Sequence, residues 1–399
     1  MKINNKSNKI KKNILFIFLV ILIITGICFF NYRMDPYSFF KNKHYMILSN
    51  YPTEMIYTVM KIYKDQKADT VVIGGSDAWA LFNELFKRFF NNLSFDGINY
   101  SQYKEILDNY LKFHPETKKV IIVINYINII NDIQISLPEC KETNLTLREY
   151  QNILFSTNAT MNSLLLLKDS FVNKYINTDN TTGIDNKFFI EFKPKQSDKF
   201  ESSLEELDRV ENKNFNSIIS LIKMLDEKNI DYVFIIPPYN SVFLAITNGQ
   251  KNAQKKIDNF KRFLVKTVPE DKKIYDFAFV NKYTSSDLSE NKDALYINLS
   301  HPSIIFGTKI FKILYKDKDA DKSIYFLLNR KNIESVIKKE NNLLTNYIKN
   351  NYETIQYYKE LRETQREEDI LYLKRIYEDS FSDDSKQEYE YLTQKIAGE

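Results

Sequence analysis

A serine that directly follows two glycines is the clearest candidate for chemistry in this chain. The segment from residue 70 to residue 82 reads TVVIGGSDAWALF, so that an apolar, β-branched run ends at Gly74 and Gly75 and is followed by Ser76. Glycine has no Cβ and therefore allows a sharp turn and a close approach to a ligand. Apolar residues at helical spacing come next, which places Ser76 at the start of a helix. That position suits a nucleophile, a phosphate-binding group, or simple N-capping by Ser76 or Asp77.

One of the three histidines lies where it could act on this serine. His301 and Pro302 follow the segment DALYINLS, and apolar residues at helical spacing come afterwards. We therefore expect His301 in a loop that enters a late helix. Ligands of parallel α/β sheets bind at the carboxyl ends of the strands. A serine after the first strand and a histidine in the last loop could meet there, and the histidine would take the proton of the serine.

Strand and helix patterns alternate along the chain, which predicts a parallel α/β sheet with helices on both faces. Buried strands are predicted in TVVIGG, LSFDGINY, KKVIIVINYINII, DYVFIIPPYN and KKIYDFAF. Helices are predicted in DAWALFNELFKRFF, in SQYKEILDNYLKFH with Ser101 as N-cap, in NFNSIISLIKMLDEKNI and in NAQKKIDNFKRFLVKTV. Residues 140–210 interrupt the alternation, and we expect an insertion over the carboxyl edge of the sheet.

The two ends of the chain differ from this central part. Residues 1–13 are rich in lysine, and residues 14–30 are uncharged and mostly apolar. This pattern predicts a cytoplasmic basic tail, a single transmembrane anchor, and an α/β domain over residues 31–322 outside the membrane, with a bacterial cell envelope as its location. A cleaved secretory signal is the alternative. Residues 323–399 are predicted to form long helices, either as a solvated extension or as a partner-binding segment.

Composition narrows the classes of function. The formal net charge is only +4 and acidic and basic residues are interspersed, so no basic stripe for nucleic acid is present in the sequence. The two cysteines, Cys28 and Cys140, form no CxxC motif, which gives no support for zinc or a disulfide framework. The chain has neither GxGxxG nor GxxxxGK[ST], and no separate cofactor is implied.

Four segments together make the sequence similar to the SGNH/GDSL hydrolases. IGGSDA matches the family's early strand-Gly-x-Ser turn, GINYS the second block, VIIVINYINI the third strand, and NLSH the terminal Asp-x-x-His block. The resemblance runs from Met34 to Lys316 and implies a flavodoxin-like (SGNH) sheet. It is strongest to the membrane-anchored, extracytoplasmic branch that modifies cell-envelope polymers, which includes DltD-type and alginate O-acetylation proteins.

This resemblance implies a catalytic role for Ser76 as nucleophile and for His301 as general base. The oxyanion and substrate residues that it implies are Gly75, Asn99, Ser101 and Asn125. Two positions depart from the family pattern. Asn298 stands where the family has the aspartate that orients the histidine, and such a replacement can lower turnover by about 10⁴. Asp77 would oppose negative charge in an oxyanion hole unless it points away.

The function implied by the resemblance is an ester hydrolase or acyltransferase that acts on a cell-envelope polysaccharide, teichoic acid or peptidoglycan. Its expected partners are the membrane and a membrane-bound acyltransferase that delivers acyl groups; nucleic acid is not expected. A second hypothesis is a binding or assembly subunit with the same fold and an impaired site. A third is a phosphate-binding turn in an unrelated α/β protein.

Overall fold

A computed structural model describes the greater part of the chain, as two compact units. The first unit takes its described residues from 2–34 and 146–167, and the second from 68–129 and 204–361. The described residues are 2–34, 68–75, 77–78, 90–95, 98–126, 129, 146–157, 159–161, 163–164, 167, 204–249, 252–286, 295–296, 299–302, 304–316, 318 and 320–361.

A six-stranded sheet forms the centre of the second unit. Its strands are β1 (Thr70–Gly74), β2 (Phe90–Ser94), β3 (Lys119–Val123), β4 (Asp231–Ile236), β5 (Lys273–Asp276) and β6 (Phe326–Leu328). Their order across the sheet is β2-β1-β3-β4-β5-β6; the first five are parallel, and β6 runs antiparallel to β5. The parallel order 2-1-3-4-5 is that of flavodoxin-like folds, so the expected fold class is confirmed.

Helices in the two units are numbered together in chain order. The first unit contains α1 (Lys2–Met34) and α3 (Leu147–Phe155). The second contains α2 (Tyr100–Phe113), α4 (Leu204–Glu227), α5 (Ser241–Asn248), α6 (Ala253–Thr267), α7 (Ile304–Leu314) and α8 (Ile333–Asn350). Residues 352–361 are helical again, which agrees with the expected helical extension.

Both faces of the sheet are covered, because the apolar runs of the parallel strands send side chains to either side. One face packs against α7 through a cluster of buried side chains that includes Val72, Ile121, Val233, Phe306 and Ile310. The alternate residues Val71 and Ile73 are also fully buried. On that side α2 packs against β1 and α4, and α4 packs against β4.

Two predicted boundaries are wrong. Strand β2 is Phe90–Ser94, so it begins inside the predicted helix and ends before most of the predicted strand. The N-cap of α2 is Asn99 and not Ser101, because a capping box lies two residues earlier than we expected. The Asn99 side chain accepts from the Ser101 backbone N–H at 3.2 Å, and Gln102 Oε1 accepts from the Asn99 backbone N–H at 3.1 Å.

The C-terminal helix α8 is joined to the sheet domain by a buried ion cluster. Lys261 Nζ, on α6, lies 2.6 Å from Asp276 Oδ2 and 2.6 Å from Glu340 Oε2. Burial raises the pKa of the Glu340 carboxyl well above its usual value. Burial alone would lower the pKa of Lys261, but the two carboxylates raise it well above its usual value. The raised pKa of Glu340 means that its carboxyl group binds a proton more readily in this buried cluster than in water.

The first unit is built on a long apolar helix. Within α1 the stretch Asn13–Met34 is long and apolar enough to cross a membrane, and a signal sequence near an N-terminus has the same character. In this unit α1 packs against α3. The domain division at 1–13, 14–30, 31–322 and 323–399, with its insertion over 140–210, stays a prediction.

Candidate active site

The candidate site lies at the carboxyl ends of β1 and β3. The strand order reverses between these two strands, and open α/β sheets bind their ligands at that position. Gly74 ends β1, and Asn125 comes two residues after the end of β3. Ser76 and Asn298 lie outside the described residues, so the geometry is given by the residues beside them.

The turn across Ser76 is closed by a backbone hydrogen bond. The Ala78 N–H donates to the Gly75 carbonyl at 3.0 Å, and residues 77–78 have the hydrogen-bonding pattern of a 3₁₀ turn. The Gly74 carbonyl accepts from the Phe95 N–H at 3.1 Å, which continues the pairing of β1 with the chain after β2. The end of β1 is thereby held by two backbone hydrogen bonds to the residues directly before Ser76.

Gly75 is in close contact with the side chain of Asn125. A Cβ built on Gly75 would lie 2.6 Å from Asn125 Nδ2 and 3.2 Å from Asp77 Oδ1. The backbone of Gly75 does not have a left-handed φ, so the close approach, and not the turn conformation, requires glycine. The structure thus brings together two of the predicted oxyanion residues, with an amide donor against the residue before Ser76.

Gly74 packs against Cβ atoms and not against a polar side chain. A Cβ built on Gly74 would lie 2.6 Å from Ala78 Cβ and 2.9 Å from Val123 Cβ. Both atoms sit next to the backbone and cannot swing away. The two positions therefore require glycine for different reasons. Gly74 allows close packing between β1 and β3, and Gly75 leaves room for the Asn125 side chain.

Asp77, the neighbour of Ser76, is buried and engaged by a tyrosine. The Tyr239 hydroxyl donates to Asp77 Oδ2 at 2.9 Å, and the same hydroxyl accepts from the Tyr126 backbone N–H at 2.9 Å. The rings of Tyr126 and Tyr239 stack with centroids 5.1 Å apart. Burial, followed by the charge of Asp77, raises the pKa of Tyr239 well above its usual value, so its hydroxyl remains a donor.

Tyr239 therefore ties the turn after β1 to the turn after β3. From the sequence, Tyr239 is expected to end a strand after Pro237 and Pro238, either as a structural stop or as a residue that lines the pocket. Its position at the carboxyl end of a central strand is the signal for the pocket-lining alternative, but the sequence does not indicate the hydrogen bond to Asp77.

The remaining predicted oxyanion residues belong to α2. Asn99 is buried and its side chain caps the helix. Ser101 lines a polar groove that it shares with Lys104 of α2 and with Ser217 and Ser220 of α4. The link from α2 to the site is Tyr100, the first residue of the helix, whose hydroxyl donates to the Asn125 carbonyl. These contacts give Asn99 a capping role and place Ser101 on the α2–α4 groove, while their predicted roles in oxyanion binding stay predictions.

His301 lies in a loop that enters α7, as predicted, and it is buried. Its Nδ1 lies 3.1 Å from Ser300 Oγ. The loop is attached to the carboxyl end of β4, because the Asn240 N–H donates to the Leu299 carbonyl at 3.1 Å. Burial lowers the pKa of His301 from 6.5 to about 4, so the imidazole is neutral at pH 7.

An apolar cluster links the surroundings of the two candidate catalytic residues. Ala78, two residues after Ser76, belongs to the same buried cluster as Tyr296 and Phe306, which flank His301 in the sequence. The switch point thus provides an amide donor and a closed turn, and the neutral His301 imidazole lies in the loop before α7. That His301 reaches Ser76 stays a prediction. Within the described part of the chain, no group of three or more His, Cys, Asp or Glu side chains could hold a metal ion.

The fold and the site define an α/β protein with a polar site at the switch point of a flavodoxin-like sheet. No family model and no curated protein matches the chain. One similar solved structure is provisionally described as a platelet activating factor from Streptococcus pneumoniae, with 12% identity, a TM-score of 0.34, and coverage of 65% of this chain and 90% of that chain. Another is provisionally described as an acylhydrolase from Bacteroides fragilis, with 12% identity, a TM-score of 0.32, and coverage of 64% and 87%. At these values the similarities carry no argument about activity.

Proposed function

We propose that this chain is a serine-dependent esterase or acyltransferase of the SGNH type that modifies a cell-envelope polymer outside the membrane. The observation that carries the proposal is the contact of Asn125 Nδ2 with Gly75 at the switch point, directly before Ser76. An amide donor held next to a candidate nucleophile is the arrangement that stabilises the oxyanion of an acyl-transfer intermediate.

In this reaction the Ser76 hydroxyl attacks an acyl carbonyl, and a covalent acyl-serine forms. His301 accepts the serine proton and returns it to the leaving alcohol. Its Nδ1 faces Ser300 Oγ, so Nε2 is the nitrogen assigned to Ser76. The Asn125 amide stabilises the oxyanion. Water completes a hydrolysis, and a hydroxyl of an envelope polymer completes a transfer.

The histidine of this site is a weak base. Burial keeps His301 neutral, which leaves it able to accept a proton at pH 7, but its pKa of about 4 makes the imidazolium costly. Asn298 stands where the resemblance calls for an aspartate that would stabilise that imidazolium. We therefore expect slow turnover, and Asn298→Asp should increase it.

The lowered pKa of His301 and the asparagine at position 298 favour a second candidate, a binding or assembly subunit whose site no longer turns over. In both cases we propose a single membrane anchor within α1, a cytoplasmic N-terminus, an extracytoplasmic main domain and a membrane-bound acyl donor as partner. The two candidates differ in whether Ser76 is reactive.

Reactivity is tested by labelling the full-length chain, purified in mild detergent, with a fluorophosphonate probe. We expect labelling that is absent in Ser76→Ala and unchanged in Ser335→Ala, a matched control on the exposed surface of α8. Absence of labelling in a chain with a cooperative thermal transition would refute the enzymatic proposal and favour the binding subunit.

A further inference from the structure

The helix α3 exposes several large apolar side chains. Leu147, Tyr150 and Phe155 are 76%, 42% and 46% exposed, and their spacing places them along one side of the helix. Ile153, on the other side, is fully buried. A helix of a globular domain normally turns its apolar stripe toward the core.

The exposed apolar surface continues beyond α3. Met161 and Leu164 are 59% and 49% exposed and are three residues apart in a segment with helical residues. Large apolar side chains exposed close together in the sequence indicate an interaction site rather than ordinary surface. We call the surface formed by Leu147, Tyr150, Phe155, Met161 and Leu164 the α3 apolar face.

This surface is held to one end of α1. The side chain of Asn31 is fully buried, and its Nδ2 donates to the Leu154 carbonyl at 2.8 Å and to Thr160 Oγ1 at 3.0 Å. A buried amide is costly unless it is hydrogen-bonded, so these two bonds favour a defined attachment. Asn31 lies three residues before the end of α1 at Met34.

The attachment point coincides with the end of the apolar stretch. Asn13–Met34 contains 22 residues. At 1.5 Å per residue it is about 33 Å long, which matches a hydrocarbon core of about 30 Å. Asn31 is therefore at the boundary between hydrocarbon and headgroups when α1 spans a bilayer. At this level α1 also exposes Tyr32, a residue type that is enriched at membrane interfaces.

We propose that α3 and the residues that follow it to Leu164 lie in the membrane interface, with the α3 apolar face inserted among the lipids at the carboxyl end of α1. The occupant of this face is the bilayer itself, because the face begins where the spanning helix leaves the hydrocarbon. Arg148 and Gln151 are exposed on the same side of the helix as Phe155, and the Arg148 guanidinium is available to lipid phosphates. The inference rests on the proposed membrane anchor and is independent of the catalytic proposal.

The test measures the depth of single spin labels in the full-length chain, reconstituted in vesicles of phosphatidylcholine and phosphatidylglycerol. Labels are introduced at Tyr150→Cys and Phe155→Cys in a background in which both native cysteines are replaced by serine. Ser335→Cys, at an exposed polar position on α8, is the water-facing control. Val20→Cys, in the middle of the apolar stretch, reports whether α1 spans the bilayer.

We expect the ratio of oxygen accessibility to nickel-complex accessibility to be several-fold higher at positions 150 and 155 than at 335. Equal ratios at all three, with position 20 in the hydrocarbon, would overturn the proposal while the anchor stands. Protection of 150 and 155 from both reagents would also overturn it and would indicate a protein partner or a second copy. Water exposure at position 20 would refute the anchor itself.

Discussion

Replacing Gly75 by alanine should impair the reaction more than the fold. The new methyl group would lie 2.6 Å from Asn125 Nδ2, well inside the ordinary contact distance of about 3.5–4.0 Å. The amide is the far end of a side chain and can rotate away. The folded structure can thus accommodate the methyl group, but only by moving the donor that we assign to the oxyanion.

The expected loss of reactivity follows from that displacement. Relief of the contact moves the Asn125 amide by about 1 Å, and a misplacement of about 1 Å can cost about 10²-fold in rate. Complete loss of an oxyanion donor costs about 10²–10³-fold. We therefore expect the fluorophosphonate labelling rate of Gly75→Ala to fall by about 10²-fold. Its stability should change little, because alanine also restricts the unfolded chain by about 0.4–1 kcal/mol.

Gly74→Ala is the matched control, because its methyl group meets atoms that cannot rotate away. Contacts of 2.6 Å to Ala78 Cβ and 2.9 Å to Val123 Cβ would force β1 and β3 apart. Overpacking of this kind costs about 1–3 kcal/mol. At roughly 2–4 °C of Tm per kcal/mol, we expect Gly74→Ala to lower the Tm by several degrees.

The assay is a pair of measurements on both variants of the full-length chain: the second-order rate of labelling and the Tm. We expect Gly75→Ala to have a reduced labelling rate and an unchanged Tm, and Gly74→Ala to have a lowered Tm. A Gly75→Ala chain that labels at the wild-type rate with unchanged Tm would refute the assignment of Asn125 to the oxyanion.

Three further perturbations test other parts of the site. The pKa of His301 is about 4 in the folded chain and 6.5 ordinarily, so the labelling rate should stay constant as the pH falls below 6.5 and should decrease only near pH 4. A decrease centred at pH 6.5 would contradict a buried neutral imidazole. As the pH falls, His301 is protonated near pH 6.5 in the unfolded chain but only near pH 4 in the folded chain, so the Tm should also decline from pH 6.5 toward pH 4. The decline should be less steep in His301→Gln, which lacks this group. Tyr239→Phe removes the donor to Asp77 and should slow labelling about tenfold, equal to about 1.4 kcal/mol, and an unchanged rate would show that the hydroxyl does not position the turn. Lys261→Met leaves two buried carboxyl groups and should cost about 3–5 kcal/mol in thermal melts. Glu340→Gln resembles the protonated acid and should cost much less, and equal losses would contradict a raised pKa at Glu340.

The sequence predicted the elements that have a strong local signal. Strands β1, β3, β4 and β5 are apolar runs ended by glycine, proline or polar residues, and their helices are amphipathic. Strand β2 was misplaced because its sequence FNNLS contains two asparagines, a residue type disfavoured in strands. Hydrogen bonds compensate for the low strand propensity of these asparagines. Asn91 Nδ2 donates to the Tyr110 hydroxyl at 2.8 Å, and Asn92 Oδ1 accepts from the Ser94 N–H at 2.9 Å. The three residues of β6 are too few for a periodic pattern.

Two candidate site residues were predicted from motifs at strand ends, and their roles stay predictions. Gly75 and Asn125 were both identified in this way, and the structure brings them into contact. The bond from Tyr239 to Asp77 joins residues 162 positions apart, and no local pattern carries that information. Lys261 is similar: a lysine in an amphipathic helix indicates a solvent-facing side, yet this one is buried between two carboxyl groups.

The buried ion cluster has a consequence for the order in which the protein is made. Ribosomes produce α6 and β5 before α8, so a growing chain contains Lys261 and Asp276 before it contains Glu340. Until α8 docks, the apolar surface that Leu344 helps to cover stays open to water. A chain cut short after the sheet would therefore keep an exposed, hydrophobic seam that quality-control proteases and chaperones recognise. Docking of α8 closes this seam and brings Glu340 to the buried lysine.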